Sequence, residues 1–251
     1  MAMKDVSIDK YVTFSERILS RLDAALNRES RVFDLGSGGG KLVEAFLDRG
    51  YKCFGADIYV DNSISKRPEY LRTIKSLDPY ILPFANAEFD FSLSQNVFEH
   101  VQDYDATFAE LSRIMKPGAY SLHMFPSKLS PIEQHVFVPG ATVFQSYWYL
   151  YIWSWFSNLN PKWRGTERAR MGWSEAAHNN QEFLKTGCNY LSGEEILAHA
   201  RRHFSTAYFA DNYLFEYWPG KIANLNKLVQ IFPLLLRIHS AFRTRVLLVQ
   251  K

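Results

Sequence analysis

The sequence predicts an α/β fold in which helices cover both faces of a mostly parallel β-sheet. Short apolar segments, typical of buried strands, alternate along the chain with segments whose apolar residues recur at helical spacing. This alternation favours right-handed βαβ units. A glycine-rich segment also follows the first predicted strand directly and precedes a helix. Ligands of such sheets bind beyond the carboxyl ends of the strands, where this segment falls.

Seven strands and four main helices account for the alternation. The predicted strands cover residues 31–35, 51–58, 71–77, 89–94, 119–125, 204–213 and 245–249. The predicted helices cover residues 12–26, 41–48, 103–115 and 192–203. The third helix should end at Lys116-Pro117-Gly118, because proline cannot continue a helix and glycine often follows one. Ser192 and Glu195 form a capping-box pattern that opens the fourth helix.

We divide the chain into four parts. Residues 1–29 should form an N-terminal helical cap, residues 30–125 the core with the glycine-rich segment, and residues 126–190 an insertion after the fifth strand. Residues 191–251 should complete the core fold, with a helical excursion at about 215–242.

Aromatic side chains are concentrated in the insertion, at residues 144–156. A helix there would be apolar on nearly all sides, so another surface must cover it. We favour a lid helix packed over a pocket, and the alternatives are a homodimer interface or peripheral contact with a membrane. Residues 228–242, where leucines stand beside arginines, are typical of a core-facing helix with a solvated rim, and the alternative is contact with an anionic lipid surface or a lipid-linked glycan.

Composition and charge argue against several classes of protein. The net charge of +3 on 251 residues is far from the dense basic stripe of nucleic-acid-binding proteins, so we expect no nucleic-acid partner. No apolar segment approaches the ~20 residues needed to span a bilayer, and the N-terminus lacks the apolar region of a secretory signal. Two cysteines, Cys53 and Cys188, allow one disulfide at most. We expect a cytoplasmic protein, with membrane association as the alternative.

The glycine-rich segment reads Asp34-Leu35-Gly36-Ser37-Gly38-Gly39-Gly40. Its glycines permit a tight turn and close approach to a ligand, and the helix that follows offers unpaired N–H groups to a negative group. A dinucleotide fingerprint would need glycine at position 41, where Lys41 stands. Asp34 can hold a cationic group of the ligand. These features favour a nucleotide-like ligand that carries an amino acid.

The second predicted strand ends at Asp57, followed by Ile58. A carboxylate at this position can accept hydrogen bonds from both hydroxyls of a ribose. The side chain of Ile58 can then cover one face of an adenine. The alternative for Asp57 is a solvated turn residue.

Four motifs follow one another between residues 32 and 126. After the glycine-rich segment come Asp78-Pro79-Tyr80-Ile81-Leu82-Pro83-Phe84 with Glu88-Phe89-Asp90, then Ser94-Gln95-Asn96-Val97-Phe98-Glu99-His100-Val101, then Glu110-Leu111-Ser112-Arg113-Ile114-Met115-Lys116-Pro117-Gly118. On these motifs the chain resembles the class I S-adenosylmethionine-dependent methyltransferases, particularly the subgroup with a D-x-x-x-LPF-x-x-x-x-FD segment. The resemblance implies a Rossmann-like fold with a seven-stranded sheet, in which residues 30–125 bind S-adenosyl-L-methionine and release S-adenosyl-L-homocysteine. The insertion would then bind the methyl acceptor.

The resemblance also implies roles for single residues. The methionine part of the cofactor would lie against Gly36, Ser37, Gly38 and Gly40, with Gln95 and Asn96 beside it. Asp57 would bind the ribose, and Asp78 the amino group of the adenine. Pro79 departs from the family, since proline lacks the N–H that is often offered to the adenine at this position.

Histidine is the usual base for proton transfer near neutral pH. His135, just after the fifth strand, falls where acceptor-facing residues are expected, and His100 follows the fourth strand beside Glu99. Either histidine would be a base or an acceptor ligand, or else would have a structural role in its loop. No metal-binding pattern is recognisable, so we predict metal independence.

The favoured function is O-methylation of a small molecule or glycan. N- or C-methylation of a small molecule is the alternative within enzymes. A catalytically inactive cofactor-binding partner, or a peripheral membrane module, is the alternative from another class.

Overall fold

The computed structural model describes residues 8–61, 63–156, 170–220 and 225–251. The first seven residues of the predicted cap lie outside the described residues. So do residues 157–169 of the predicted insertion and residues 221–224 of the predicted excursion. The boundaries of the four predicted parts remain predictions.

The described residues form helices and strands in the predicted alternating order. The helices are α1 (Ile8–Arg21), α2 (Lys41–Asp48), α3 (Tyr104–Ile114), α4 (Tyr147–Trp155), α5 (Trp173–Thr186), α6 (Gly193–Ala200), α7 (Tyr213–Tyr217), α8 (Asn226–Ile231) and α9 (Pro233–Phe242). The strands are β1 (Arg31–Leu35), β2 (Lys52–Asp57), β3 (Leu71–Thr73), β4 (Ser76–Leu77), β5 (Tyr80–Ile81), β6 (Phe89–Gln95), β7 (Met115–Pro126), β8 (Thr206–Phe209) and β9 (Thr244–Gln250).

Seven strands form one sheet in the order β3-β2-β1-β6-β7-β9-β8. The pairs from β3 to β7 are parallel, and β9 runs antiparallel to both of its neighbours. The central strands are buried on both faces, which is why they read as continuous apolar segments rather than alternating ones. The predicted fold class, a seven-stranded and mostly parallel sheet with helices, is confirmed.

Two apolar cores cover the two faces of the sheet. One contains Tyr11, Phe14 and Ile18 of α1 together with Phe46 of α2. The other contains apolar residues of α3 and α6, with Phe108 at its centre. Because both faces are covered, the exposed features of the sheet lie at its edges.

The third predicted strand, residues 71–77, is wrong in extent. The strand in the main sheet ends at Thr73, and Ser76–Leu77 pairs instead with Tyr80–Ile81 in a separate two-stranded hairpin. β3 is an edge strand with a single neighbour, so few hydrogen bonds hold it in the sheet and the chain turns back to pair with itself.

The third helix ends before residues 116–118, as predicted, but the strand predicted to begin after these residues begins earlier. α3 ends at Ile114 and β7 begins at once with Met115, so these residues lie inside the strand. The register between β6 and β7 shifts here, and Gly118 has φ of +79°. A bulge absorbs the extra residues of one strand, and glycine adopts its left-handed conformation without steric cost.

The aromatic segment of the insertion is helical in α4, as the packed-lid interpretation requires. Leu150 and Ser154 are buried in α4, which packs against α5. In contrast, Trp148 is 71% and Trp155 54% exposed. No described helix has the length and apolar character to cross a bilayer. Contact of this surface with a second copy or with a membrane remains a prediction.

His123 lies inside β7 and is fully buried. Its Nδ1 is 2.8 Å from Ser94 Oγ, and its Nε2 is 2.7 Å from Ser121 Oγ. Burial lowers the pKa of His123 to about 3. The folded chain therefore keeps this ring neutral, whereas an unfolded chain binds a proton below pH ~6.5. Stability should fall as the pH decreases from ~6.5 towards 3, by about 1.4 kcal/mol per pH unit.

Urea unfolding of the unmodified chain and of His123→Gln over this pH range measures the effect. Between pH ~6.5 and ~5, we expect the free energy of unfolding of the unmodified chain to fall by about 2 kcal/mol relative to that of His123→Gln. His178→Gln, at an exposed position of α5, should follow the pH dependence of the unmodified chain. Equal pH slopes for the unmodified chain and His123→Gln would contradict the prediction.

Candidate active site

The candidate site lies at the edge of the sheet where β1, β2 and β6 end. These strands are parallel, so Leu35, Asp57 and Gln95 finish at the same edge. The loops that follow them carry most of the residues selected from the sequence.

The glycine-rich loop is fixed to β2 by backbone hydrogen bonds. The N–H groups of Gly36 and Ser37 donate to the carbonyl of Ala56, at 2.8 and 3.2 Å. Gly36 has φ of +71°, and a Cβ at this position would lie 2.3 Å from Cγ2 of Val97. Only glycine fits there without displacing Val97.

Gly38 is the open part of the loop. It also has a positive φ, of +50°, and apart from its chain neighbours no described residue has an atom within 4 Å of where its Cβ would be. Gly40, with φ of +79°, is the N-cap residue of α2. The loop thus presents backbone to open space directly before a helix N-terminus, which suits a ligand with a negative group.

Asp57 joins the end of β2 to this loop. Its Oδ2 accepts a hydrogen bond from the N–H of Gly38 at 2.8 Å, and its Oδ1 accepts one from Tyr59 at 3.0 Å. The next residue, Ile58, is 62% exposed. The structure therefore brings Asp57 and Ile58 to the open part of the glycine-rich loop.

Asp34 is buried two residues before Gly36. Burial, and after it the charge of Asp57, raises the pKa of Asp34 well above its usual range. A cation beside this carboxyl would favour its ionised form. The position therefore suits the cationic group expected of the ligand.

Two buried polar atoms near the loop have no hydrogen-bond partner within the described ranges. They are Oγ of Ser37 and Oδ1 of Asn96. Asn96 directly follows β6 and has a positive φ of +57°, while its N–H donates to Met124 at 2.8 Å. Buried polar atoms usually have partners, so these two are available to a polar ligand.

Asp78 and Pro79 lie on a different element from these residues. They form the turn of the β4–β5 hairpin and are exposed. No side-chain hydrogen bond of Asp78 is found in the described part of the chain. Burial raises the pKa of the hydroxyl of the next residue, Tyr80, and the nearby carboxylates of Glu110 and then Asp57 add to this effect. The adenine contact of Asp78 remains a prediction.

His100 and His135 come together although 34 residues separate them. Their Nε2 atoms are 3.1 Å apart. His100 ends the short 3₁₀ helix Phe98–His100 after β6, and His135 lies in the insertion. Burial lowers the pKa of His100, and the neighbouring His135 adds to this, while the hydrogen bond to the Gly187 carbonyl and the charges of Glu133 and Asp57 act in the opposite direction. The two histidines selected from the sequence thus form one cluster, and Asp57 acts on His100 of this cluster.

Glu133 fixes His135 in this cluster. Its side chain is fully buried and accepts hydrogen bonds from His135 N at 2.7 Å, His135 Nδ1 at 2.6 Å, Val136 N at 2.6 Å and the Tyr190 hydroxyl at 2.8 Å. Burial alone would raise the pKa of Glu133, but these hydrogen bonds hold it below its usual range. Glu133 is therefore an ionised carboxylate that orients the imidazole of His135.

His100 is oriented in the same way by a backbone oxygen. Its Nδ1 donates to the carbonyl of Gly187 at 2.5 Å. Its neighbour Glu99 is 2% exposed, and burial, with a smaller effect of Glu133, raises the pKa of Glu99 to about 8. Sequence reasoning did not assign roles to Glu133, Gly187 or Tyr190. The Glu-x-His spacing of Glu133 and His135 is the one local signal that points to such a pair.

The fold and this geometry agree with the comparison to known families. The family described as methyltransferase domain matches residues 33–122. Over these residues the chain is therefore similar to S-adenosylmethionine-dependent methyltransferases. The matched residues run from β1 into β7, so the match includes the glycine-rich loop, Asp57 and the Glu99-His100 pair.

Curated relatives are similar over the same part of the chain. The ubiquinone biosynthesis O-methyltransferase of Chelativorans sp. (strain BNC1) is 34% identical over 94 residues, which cover 35% of this chain and 37% of that protein. An uncharacterized methyltransferase of Mycobacterium sp. (strain JLS) is 29% identical over 109 residues, which cover 41% of this chain and 42% of that protein. The matches therefore span less than half the length of these relatives.

Solved structures resemble the chain over nearly its whole length. Phosphoethanolamine N-methyltransferase 2 of Haemonchus contortus, in complex with S-adenosyl-L-methionine, has a TM-score of 0.50 at 12% identity and covers 94% of this chain and 51% of its own. Geranyl diphosphate methyltransferase, in complex with GPP and sinefungin, has a TM-score of 0.50 at 15% identity. The match covers 96% of this chain and 76% of that protein. At these identities the likeness concerns the fold alone.

Proposed function

We propose that this protein is an S-adenosylmethionine-dependent methyltransferase that methylates an oxygen atom of a small molecule or glycan. The observation that carries the proposal is the junction of Asp57 with the glycine-rich loop, where Asp57 Oδ2 accepts from Gly38 at 2.8 Å. A carboxylate at the end of the second strand suits a ribose, and the open backbone at Gly38 suits the amino-acid part of the cofactor.

The residues around this junction fit the cofactor in polarity and space. The unpartnered Ser37 Oγ and Asn96 Oδ1 offer hydrogen bonds to a polar ligand. Buried Asp34 suits its ammonium group, and exposed Ile58 suits the face of its adenine. Bound there, S-adenosylmethionine supplies an activated methyl group, so the protein has mainly to align the acceptor and promote loss of its proton.

The histidine cluster supports an oxygen acceptor. A hydroxyl must lose its proton on methylation, and Glu133 holds His135 with its Nε2 directed towards His100 rather than towards Glu133. Carboxylate-oriented imidazoles are suited to accept a proton or to bind the group that loses one. We therefore assign His100 and His135 to the acceptor side of the site. N- or C-methylation of a small molecule is the alternative.

Calorimetry with S-adenosyl-L-methionine and S-adenosyl-L-homocysteine tests the proposal. We expect both to bind with one molecule per chain. If neither binds, the proposal is wrong. Incubation with methyl-labelled cofactor and a panel of hydroxyl- and amine-bearing compounds, followed by mass spectrometry, then distinguishes O- from N- and C-methylation.

A further inference from the structure

The two rings of the histidine cluster both carry a proton on Nδ1. His135 Nδ1 is 2.6 Å from the carboxylate of Glu133, and His100 Nδ1 is 2.5 Å from the carbonyl of Gly187. An ionised carboxylate and a carbonyl can only accept hydrogen bonds, so Nδ1 is the donor in each ring. In a neutral imidazole the other nitrogen then bears a lone pair.

The two Nε2 atoms therefore present lone pairs to each other at 3.1 Å. Two acceptors at this distance repel unless a positive charge lies between them. That charge is either a proton shared by the two rings or a metal ion bound by both. Two nitrogens bound to a tetrahedral zinc ion at 2.0–2.1 Å are about 3.3 Å apart, close to the distance found here.

Glu99 supplies a third donor atom. The residue is 2% exposed, and its Oε2 is buried without a hydrogen-bond partner among the residues that the structure describes. Glu99, His100 and His135 can each place one ligand atom so that all three lie within 4.8 Å of one another. Two imidazoles and one carboxylate form a common donor set for catalytic zinc and related divalent ions.

The groups around the two histidines match those found around metal ligands. A histidine that binds a metal typically donates its other N–H to a carboxylate or a backbone carbonyl, which fixes the ring. Here Glu133 and Gly187 accept these bonds, and the Tyr190 hydroxyl holds Glu133 at 2.8 Å. A shared proton explains the distance between the rings, but it does not explain the unpartnered oxygen of Glu99.

We propose that Glu99, His100 and His135 bind a divalent transition-metal ion of the zinc class. This departs from the metal independence expected from the sequence, and it deepens the proposed function, on which its catalytic part rests. An ion held by three protein ligands keeps a coordination position for a further oxygen. The hydroxyl of the acceptor would take that position, and its proton would leave to solvent more readily beside the cation.

Zinc binding by the whole chain tests the site directly. After treatment with a chelator, the chain is dialysed against Zn²⁺ and its metal content measured, and Co²⁺ is titrated as a probe with visible absorption. We expect one ion per chain, and affinity at least ~100-fold lower in His100→Gln and His135→Gln. The matched control His178→Gln, at an exposed position of α5, should bind Zn²⁺ as the unmodified chain does.

Failure of this inference can be separated from failure of the proposed function. Asp57→Ala should lose S-adenosyl-L-homocysteine but keep Zn²⁺, and His100→Gln should do the reverse. An unmodified chain that binds the nucleoside but no Zn²⁺ would overturn the metal site alone, whether or not the variants fold. Binding of Zn²⁺ that is unchanged in both histidine variants would also overturn it. A proton shared between the two Nε2 atoms in nitrogen-15 spectra, unchanged on addition of Zn²⁺, would assign the bridging charge to that proton.

Discussion

Asp57→Ala is expected to weaken the binding of S-adenosyl-L-homocysteine by about 100- to 10,000-fold. Two hydrogen bonds from ribose hydroxyls to a carboxylate contribute about 1.5–3 kcal/mol each, and each 1.4 kcal/mol is a factor of ten in affinity. The substitution also removes the bond from Gly38 N–H at 2.8 Å, which holds the open part of the loop in place. The measurement is calorimetric titration of the unmodified chain and the variant.

Two further variants test whether the loss of affinity comes from the carboxylate of Asp57. Asp57→Asn keeps one acceptor oxygen, so its affinity should lie between those of the unmodified chain and Asp57→Ala. Asp61→Asn removes a charge in the same loop, where the carboxylate bonds to Ser63, and should bind as the unmodified chain does. If Asp57→Ala binds S-adenosyl-L-homocysteine as tightly as the unmodified chain does, Asp57 does not bind the ribose.

Local signals explain why the first half of the fold could be predicted from sequence. The strand at residues 31–35 and the helix at residues 41–48 have the bounds that were predicted. Short apolar segments, helical spacing and glycines that need a positive φ act over only a few residues. For the same reason the loop between them, with Gly36 and Gly40 in left-handed conformations, could be expected at the ligand edge.

The errors arose where pairing with distant residues decides the structure. Whether residues 116–118 precede the strand that follows the third helix or belong to it depends on their register with β6, which no local pattern contains. The end of β3 likewise depends on its single neighbour in the sheet.

The candidate site shows the same division between local and distant information. His100 and His135 could each be selected because they follow predicted strands. The distance of 3.1 Å between their Nε2 atoms, however, is set by the tertiary fold. Tyr190 gave no sequence signal at all, because its role is set by contact with Glu133 across 57 positions of the chain.

Glu133→Ala is expected to lower the free energy of unfolding by about 3–5 kcal/mol. Removal of one partner from a buried, charged hydrogen-bond network leaves the others unpaired at about this cost. Here the N–H groups of His135 and Val136 and the hydroxyl of Tyr190 would lose their acceptor. Urea unfolding measures the change. Glu182→Ala, at an exposed position of α5, should change stability by less than about 0.5 kcal/mol, and a similarly small effect of Glu133→Ala would contradict the role of the network.

Glu133→Gln separates the charge of this residue from its contribution to folding. Its amide oxygen can still accept from the two backbone N–H groups, while its NH₂ group would face His135 Nδ1 and Tyr190 and turn both into acceptors. The proton of His135 would then move to Nε2, which can donate directly to His100 and needs no cation between the rings. We therefore expect a smaller loss of stability than in Glu133→Ala, together with Zn²⁺ affinity about 10- to 100-fold below that of the unmodified chain. Unchanged Zn²⁺ affinity in a folded Glu133→Gln chain would mean that the carboxylate does not set the tautomer of His135.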